Sequence, residues 1–130
     1  MIDFHAGVAA RTIWGEARNQ GAPGMSAVAH VIRNRIARVR WGHTPASVCL
    51  APMQFSCWNP KDPNRRLMLE LPESDVTFAQ CVDAWLKSET SADPTFGATH
   101  YQVTGTGANW AEGQVPCAII GAHEFFRNIA

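Results

Sequence analysis

Net charge is the first thing this 130-residue sequence lacks, since eleven basic residues balance eleven acidic ones. A chain with no surplus of either sign draws in no polyanion through bulk attraction, so neither nucleic acid nor an anionic membrane surface is an expected partner. Long apolar runs are missing too. No stretch approaches the ~20 residues of a bilayer-spanning helix, so membrane insertion is not expected. The opening Met1-Ile2-Asp3-Phe4-His5 carries neither the basic nor the apolar region of a secretory signal. The expectation is a protein made in the cytoplasm, with any export depending on another route. Cys49, Cys57, Cys81 and Cys117 form no CxxC pair, and their spacings match no common zinc framework. His5, His30 and His43 have no companion at metal-ligand spacing and read as structural or surface groups. Internal repeats and low-complexity segments are absent as well.

What is present is an ordinary globular composition, 46% hydrophobic and 17% charged. The length suits one domain, residues 1–130, with a core that needs no metal or disulfide staple. Cys81 falls on an apolar helical stripe, the usual setting of a buried free thiol. Cys49 and Cys57 are open to pairing in an oxidising compartment. Nine of the eleven basic residues are arginine, and Arg33, Arg35, Arg38 and Arg40 fall close together. Helical spacing spreads these four over more than one face, which reads as a solvated helix end.

Periodicity predicts a first helix over about residues 3–19, capped by Asp3, with Phe4, Val8, Ala9 and Ile13 near helical spacing. A second follows over about 24–39, with Met25, Val28, Ala29, Ile32 and Ile36 on one face. Thr44-Pro45 starts a short helix. Residues 51–66 read as irregular and proline-rich. A long helix over about 73–89 carries Phe78, Cys81, Val82, Trp85 and Leu86, with Ser74 as its cap. Thr99–Val103 alternates at period two, and Cys117–Ile120 and His123–Phe126 read as two short strands around Gly121. The expected fold is α+β, mainly helical, with a small antiparallel sheet in the C-terminal third.

Glu16 stands out chemically. It closes an apolar helix between Ile13-Trp14 and Ala17, and a carboxyl held against apolar walls retains its proton more readily, as protonation of a glycosidic oxygen requires. Gly15 beside it reads as leaving room for a bulky substrate. The bland alternative is a surface carboxylate at a helix end, paired with Arg18 or Arg11. His100 and His123 sit in predicted strands beside aromatics, placed either to hydrogen-bond sugar hydroxyls or simply to be half-buried. Trp58 and Trp110 lie in loops with polar neighbours, which suits stacking on pyranose faces, whereas Trp85 reads as core.

Taken in order, several segments resemble the SleB-type cell-wall hydrolases, the family that includes spore-cortex-lytic enzymes. They are Ala10-Arg11-Thr12-Ile13-Trp14-Gly15-Glu16-Ala17-Arg18, the run Gly24–Arg35, Gln54-Phe55-Ser56-Cys57-Trp58, Gly97-Ala98-Thr99-His100-Tyr101, Trp110, and Ile120-Gly121-Ala122-His123-Glu124-Phe125. The resemblance implies a lysozyme-like, mainly helical catalytic domain that acts as a monomer on peptidoglycan glycan strands, at the bond between N-acetylmuramic acid and N-acetylglucosamine. It implies Glu16 as the catalytic acid and no metal or cofactor. Spore-cortex members are lytic transglycosylases, so a 1,6-anhydromuramic product is expected, with hydrolysis by a muramidase as the variant. The groove contacts are assigned to Gln54, Phe55, Ser56, Trp58, His100, Tyr101, Trp110 and His123. The sequence departs from spore-cortex members in its lack of a visible signal and of a separate wall-binding domain, and in Gln102 where another aromatic is frequent. That architecture suits a phage endolysin released to the wall by a holin. Two other readings stand beside this one: a metal-dependent N-acetylmuramoyl-L-alanine amidase and a non-catalytic glycan-binding module.

Overall fold

The computed structural model describes residues 2–52 and 54–130. Five helices come first: α1 (Phe4–Ala17), α2 (Gly21–Arg38), α3 (Pro45–Leu50), α4 (Pro63–Leu69) and α5 (Val76–Lys87). Three strands follow, β1 (His100–Val103), β2 (Ala118–Ile120) and β3 (His123–Phe126), in an antiparallel sheet of order β1-β3-β2. The expected α+β, mainly helical class is the one observed.

Helix α1 is the hub, packed on α2, α3, α4 and α5. Its buried face is built largely from small residues, Ala6, Gly7, Ala9, Ala10 and Ala17, with Val8 and Ile13 as the larger anchors. Small side chains let neighbouring backbones approach closely, so one helix can serve four partners. Asp3 caps it as expected, accepting the Ala6 N–H at 2.9 Å. Met25, Val28, Ala29 and Ile32 of α2 and Phe78, Cys81 and Trp85 of α5 join this core, as do Val48, Phe55 and Met68. A smaller cluster lies under the sheet, where Ala27 and Val31 of α2 meet Ala98 and Phe125, with Tyr101 at the seam between the two.

The differences from the sequence reading are local. α2 begins at Gly21, ahead of the expected start, because Pro23 falls within the first turn, where its missing N–H removes no helical bond. Of the stretch read as irregular, residue 53 lies outside the described residues, and residues 54–66 are more ordered than their prolines indicate. They hold a single-turn 3₁₀ helix, Ser56–Trp58, and the start of α4, which Asp62 caps and Pro63 opens. α5 is capped by Asp75, whose carboxylate accepts the Phe78 N–H at 2.8 Å; Ser74 is exposed and outside the helix. The arginine run is not a solvated end throughout. Arg33 lies over Trp85 and Arg35 is 4% exposed, while Arg38 and Arg40 do face solvent. All four cysteines are free, with Cys49, Cys57 and Cys81 buried.

Candidate active site

The end of α1 places Glu16 against the sheet. Gly15, one residue earlier, faces inward: a Cβ there would strike Met68 Sδ and come within 2.9 Å of Cys57 Cβ. Gly15 therefore makes room for α4 and the 3₁₀ turn, a correction to the expectation that it clears space for substrate. Glu16 is half-buried, and the Tyr101 hydroxyl donates a hydrogen bond to its Oε1. Burial, together with the neighbouring Glu16 carboxylate, holds the Tyr101 phenol well above its ordinary range. Tyr101 is therefore a donor throughout the neutral range, fixing one oxygen of the carboxyl, and the buried Cys57 thiol lies within hydrogen-bonding reach of the same carboxyl.

Neither arginine proposed as an ion-pair partner reaches Glu16. Arg11 donates to the carbonyls of Met68 and Leu71, and Arg18 stacks on Trp14 at 4.2 Å and donates to Asn64 Oδ1 at 2.8 Å. His123 completes the local group. Its ring stands edge-on to Tyr101 with centroids 5.2 Å apart, and it is 8% exposed. Its Nδ1 is buried with no hydrogen-bond partner among the described residues. Burial lowers its pKa, against an opposing pull from Glu16, so the ring is neutral at pH 7. The strand alternation behaves as read: His123 and Phe125 face the core, whereas Glu124 is on the other face, accepting from Gln102 Nε2 at 2.7 Å.

The turn that presents His123 is tied to the helices. Gln20 Oε1 accepts the Ala122 N–H at 3.0 Å, and Gly121 (φ +58°) leaves space for that amide, since a Cβ would lie 2.5 Å from Gln20 Oε1. A left-handed φ and a close approach together require glycine at this position. Glu16, His123, Arg18, Asn64 and Gln20 line an open cleft of about 290 Å³. Glu16 is the only carboxylate among its described lining residues.

The other expected contacts are dispersed. Gln54 Oε1 is 3.5 Å from Arg35 Nη1, and the exposed Ser56 begins the 3₁₀ turn. Phe55 is 2% exposed with the Arg35 guanidinium 4.8 Å over its ring, so burial denies it the direct groove contact assigned to it. Trp58 donates its indole N–H to Thr12 at 2.8 Å and lines a separate, larger groove of about 620 Å³ with Val8, Arg11 and Leu50. His100 and Trp110 pack together at 5.0 Å on the face of the sheet opposite Tyr101, with Trp41 and Phe126 as neighbours. Burial and the positive charges of Arg35, Arg40 and Arg38 lower the His100 pKa to about 4.

Arg35, read in the sequence as part of a solvated helix end, instead follows Val28 and Ile32 on the buried stripe of α2. Its Nε donates to the Thr99 carbonyl at 2.7 Å, anchoring the start of β1, and its charge is felt at both Tyr101 and Glu16. Among the described residues no three His, Cys, Asp or Glu side chains group as metal ligands.

A half-buried carboxyl, bonded by one phenol, thus stands at the wall of an open cleft. The profile of the family described as Cell Wall Hydrolase matches residues 19–126. The chain belongs to the cell wall hydrolase family. Glu16 lies just before the matched span, but solved structures extend the likeness across it. The catalytic domain of the germination-specific lytic transglycosylase SleB from Bacillus anthracis is 25% identical with a TM-score of 0.77, over 98% of this chain and 97% of that one. The catalytic domain of the Bacillus cereus SleB protein is 24% identical with a TM-score of 0.78, over 95% of this chain and 89% of that one. A comparison with curated proteins finds no match. Among cell wall hydrolases this chain thus shares the SleB catalytic fold over nearly its whole length.

Proposed function

We propose that this cell wall hydrolase is a lytic transglycosylase that cleaves peptidoglycan between N-acetylmuramic acid and N-acetylglucosamine, with Glu16 as its single acid and base. The observation that carries this is the solitude of Glu16. Most glycosidases set a second carboxylate across the scissile bond, to act on water or on the sugar. Here Glu124, the one other acid in the segments that resemble the family, is held by Gln102 on the far side of the sheet.

A single carboxyl suffices when the substrate supplies its own nucleophile. Glu16 donates its proton to the bridging oxygen, and the C1–O bond breaks. As a carboxylate it then accepts the proton of the muramic C6 hydroxyl, whose oxygen bonds to C1. The products are a 1,6-anhydromuramic end and a strand released at its C4 hydroxyl, with no water consumed. Tyr101 serves both halves by keeping the carboxyl aimed through Oε1. General acid–base transfer accounts for about 10²–10⁴ in rate. The remainder must come from contacts that hold the strained sugar, for which His123 and the side chains around the cleft are the candidates.

Mass spectrometry of fragments released from purified sacculi tests the reading. Anhydromuramic ends are expected. Fragments ending only in reducing muramic acid would make the enzyme a muramidase. New free amino groups without new glycan ends would make it an amidase.

A further inference from the structure

The cleft beside Glu16 contains a cation that the reaction above does not use. Arg18 lines it, and none of the described carboxylates lies within ion-pairing distance. Its guanidinium is held in place rather than free. The plane lies on Trp14 at 4.2 Å, Nη2 donates to Asn64 Oδ1 at 2.8 Å, and Nη1 is near the Trp14 and Gly15 carbonyls at 3.4 and 3.5 Å. Guanidinium has five N–H donors in a fixed fork. The Nε donor and one on Nη2 have no partner among the described residues. The only acid in the cleft lining, Glu16, has its Oε1 bonded to Tyr101. A pre-oriented, half-buried fork with donors to spare is the arrangement that recognises a carboxylate in two-point fashion.

We propose that Arg18, steadied by Asn64, is a specificity-determining residue that binds a carboxylate carried on the lactyl arm of the muramic residue being cleaved. This rests on the proposed cleavage at muramic acid. Of the two sugars in the strand only muramic acid bears an acidic arm, at O3. An anchor beside the proton donor therefore sets which of the two alternating glycosidic bonds is presented to Glu16. N-acetylglucosamine placed there leaves the fork unpaired in a partly desolvated site. The carboxylate has two sources, the lactyl group itself where the stem peptide has been removed, or the first acidic residue of an intact stem.

Asn64→Asp provides a conservative test. It puts a carboxylate where Oδ1 already lies 2.8 Å from Arg18, so the cation is neutralised from within. The site is in the first turn of α4, where an acidic side chain is favourable. Binding is measured in the Glu16→Gln chain with three soluble probes: strands with stems, strands stripped to the lactyl carboxylate, and stripped strands whose carboxylates are capped as methylamides. Carboxylate-bearing strands should bind about ten- to a hundredfold more tightly than capped ones, and Asn64→Asp should remove most of that preference. Arg18→Gln should act in the same direction. A preference for stem-bearing strands alone assigns the carboxylate to the stem, and an equal preference for stripped strands assigns it to the lactyl group. Equal binding of capped strands, a preference that survives Asn64→Asp, or binding of none of the three overturns the inference. The readout needs no bond cleavage, so an inert wild-type enzyme would refute the proposed reaction while leaving the carboxylate preference separately measurable.

Discussion

At the scale of single residues, the proposed chemistry depends on how one carboxyl is held. Tyr101 contributes one hydrogen bond to a carboxylate, an interaction of about 1.5–3 kcal/mol. Tyr101→Phe should therefore lower kcat by about ten- to a hundredfold on purified walls, with KM little changed and the melting temperature several degrees lower. A kcat within twofold of wild type would show that Glu16 needs no such guide. His123 is the companion test. Its orphaned Nδ1 and neutral ring give it no charge to contribute, so His123→Phe should preserve the fold and reduce activity through lost cleft contacts, read as a higher KM. The sequence made Glu16, Tyr101 and His123 legible because short motifs hold them. It did not reveal that His100, adjacent to Tyr101, points the opposite way, although strand alternation requires it. Phe55 and Trp58 misled for a different reason: aromatics in a proline-rich loop read as groove lining, yet the loop folds onto α1 and buries them in part or whole.

Elements position these residues through a few close approaches. α1 and α4 meet at Gly15, where the added methyl group of Gly15→Ala has nowhere to go. Overpacking of this kind costs about 1–3 kcal/mol, so that variant should melt several degrees lower and also lose activity, because Glu16 moves with the helix end. A melting temperature equal to wild type would mean that Met68 and Cys57 can yield. The hairpin between β2 and β3 is pinned at one amide by Gln20, and Gln20→Ala should cost about 0.5–1.5 kcal/mol while loosening His123, detectable as faster exchange at the Ala122 amide. Helix existence was readable from periodicity and caps. Boundaries and the short α4 were not, because a seven-residue helix opened by Asp62-Pro63 shows too few turns for a period to emerge. Arg35 was hidden by its charge, since an arginine on an apolar stripe is recognised as buried only once Trp41, Phe55 and the Thr99 carbonyl are seen around it.

Across the whole molecule, histidine burial gives folding a pH dependence of definite sign. His30, His100 and His123 all lie below the ordinary imidazole value, each chiefly through burial, and His100 is lowest at about 4. The unfolded chain takes up these protons near pH 6.5, whereas the folded chain resists until lower pH. Between those values the unfolded state holds more protons, so stability is complete above about pH 6.5 and declines toward pH 4. The melting temperature should drop between about pH 7 and about pH 4.5, and less steeply in His100→Gln; a flat profile would contradict the burial of these rings. The helical core around α1 and the sheet beside it set one half-buried acid, Glu16, at the wall of an open cleft. In the proposed reaction this one acid does the work of two, and the decisive measurement is lysis of purified sacculi by Glu16→Gln. The expected result is a folded protein with wild-type melting temperature and less than about one per cent of wild-type activity, from the 10²–10⁴ contribution of acid–base transfer; a Glu16→Gln enzyme that still clears walls at more than a few per cent of the wild-type rate would show that Glu16 is not the proton donor.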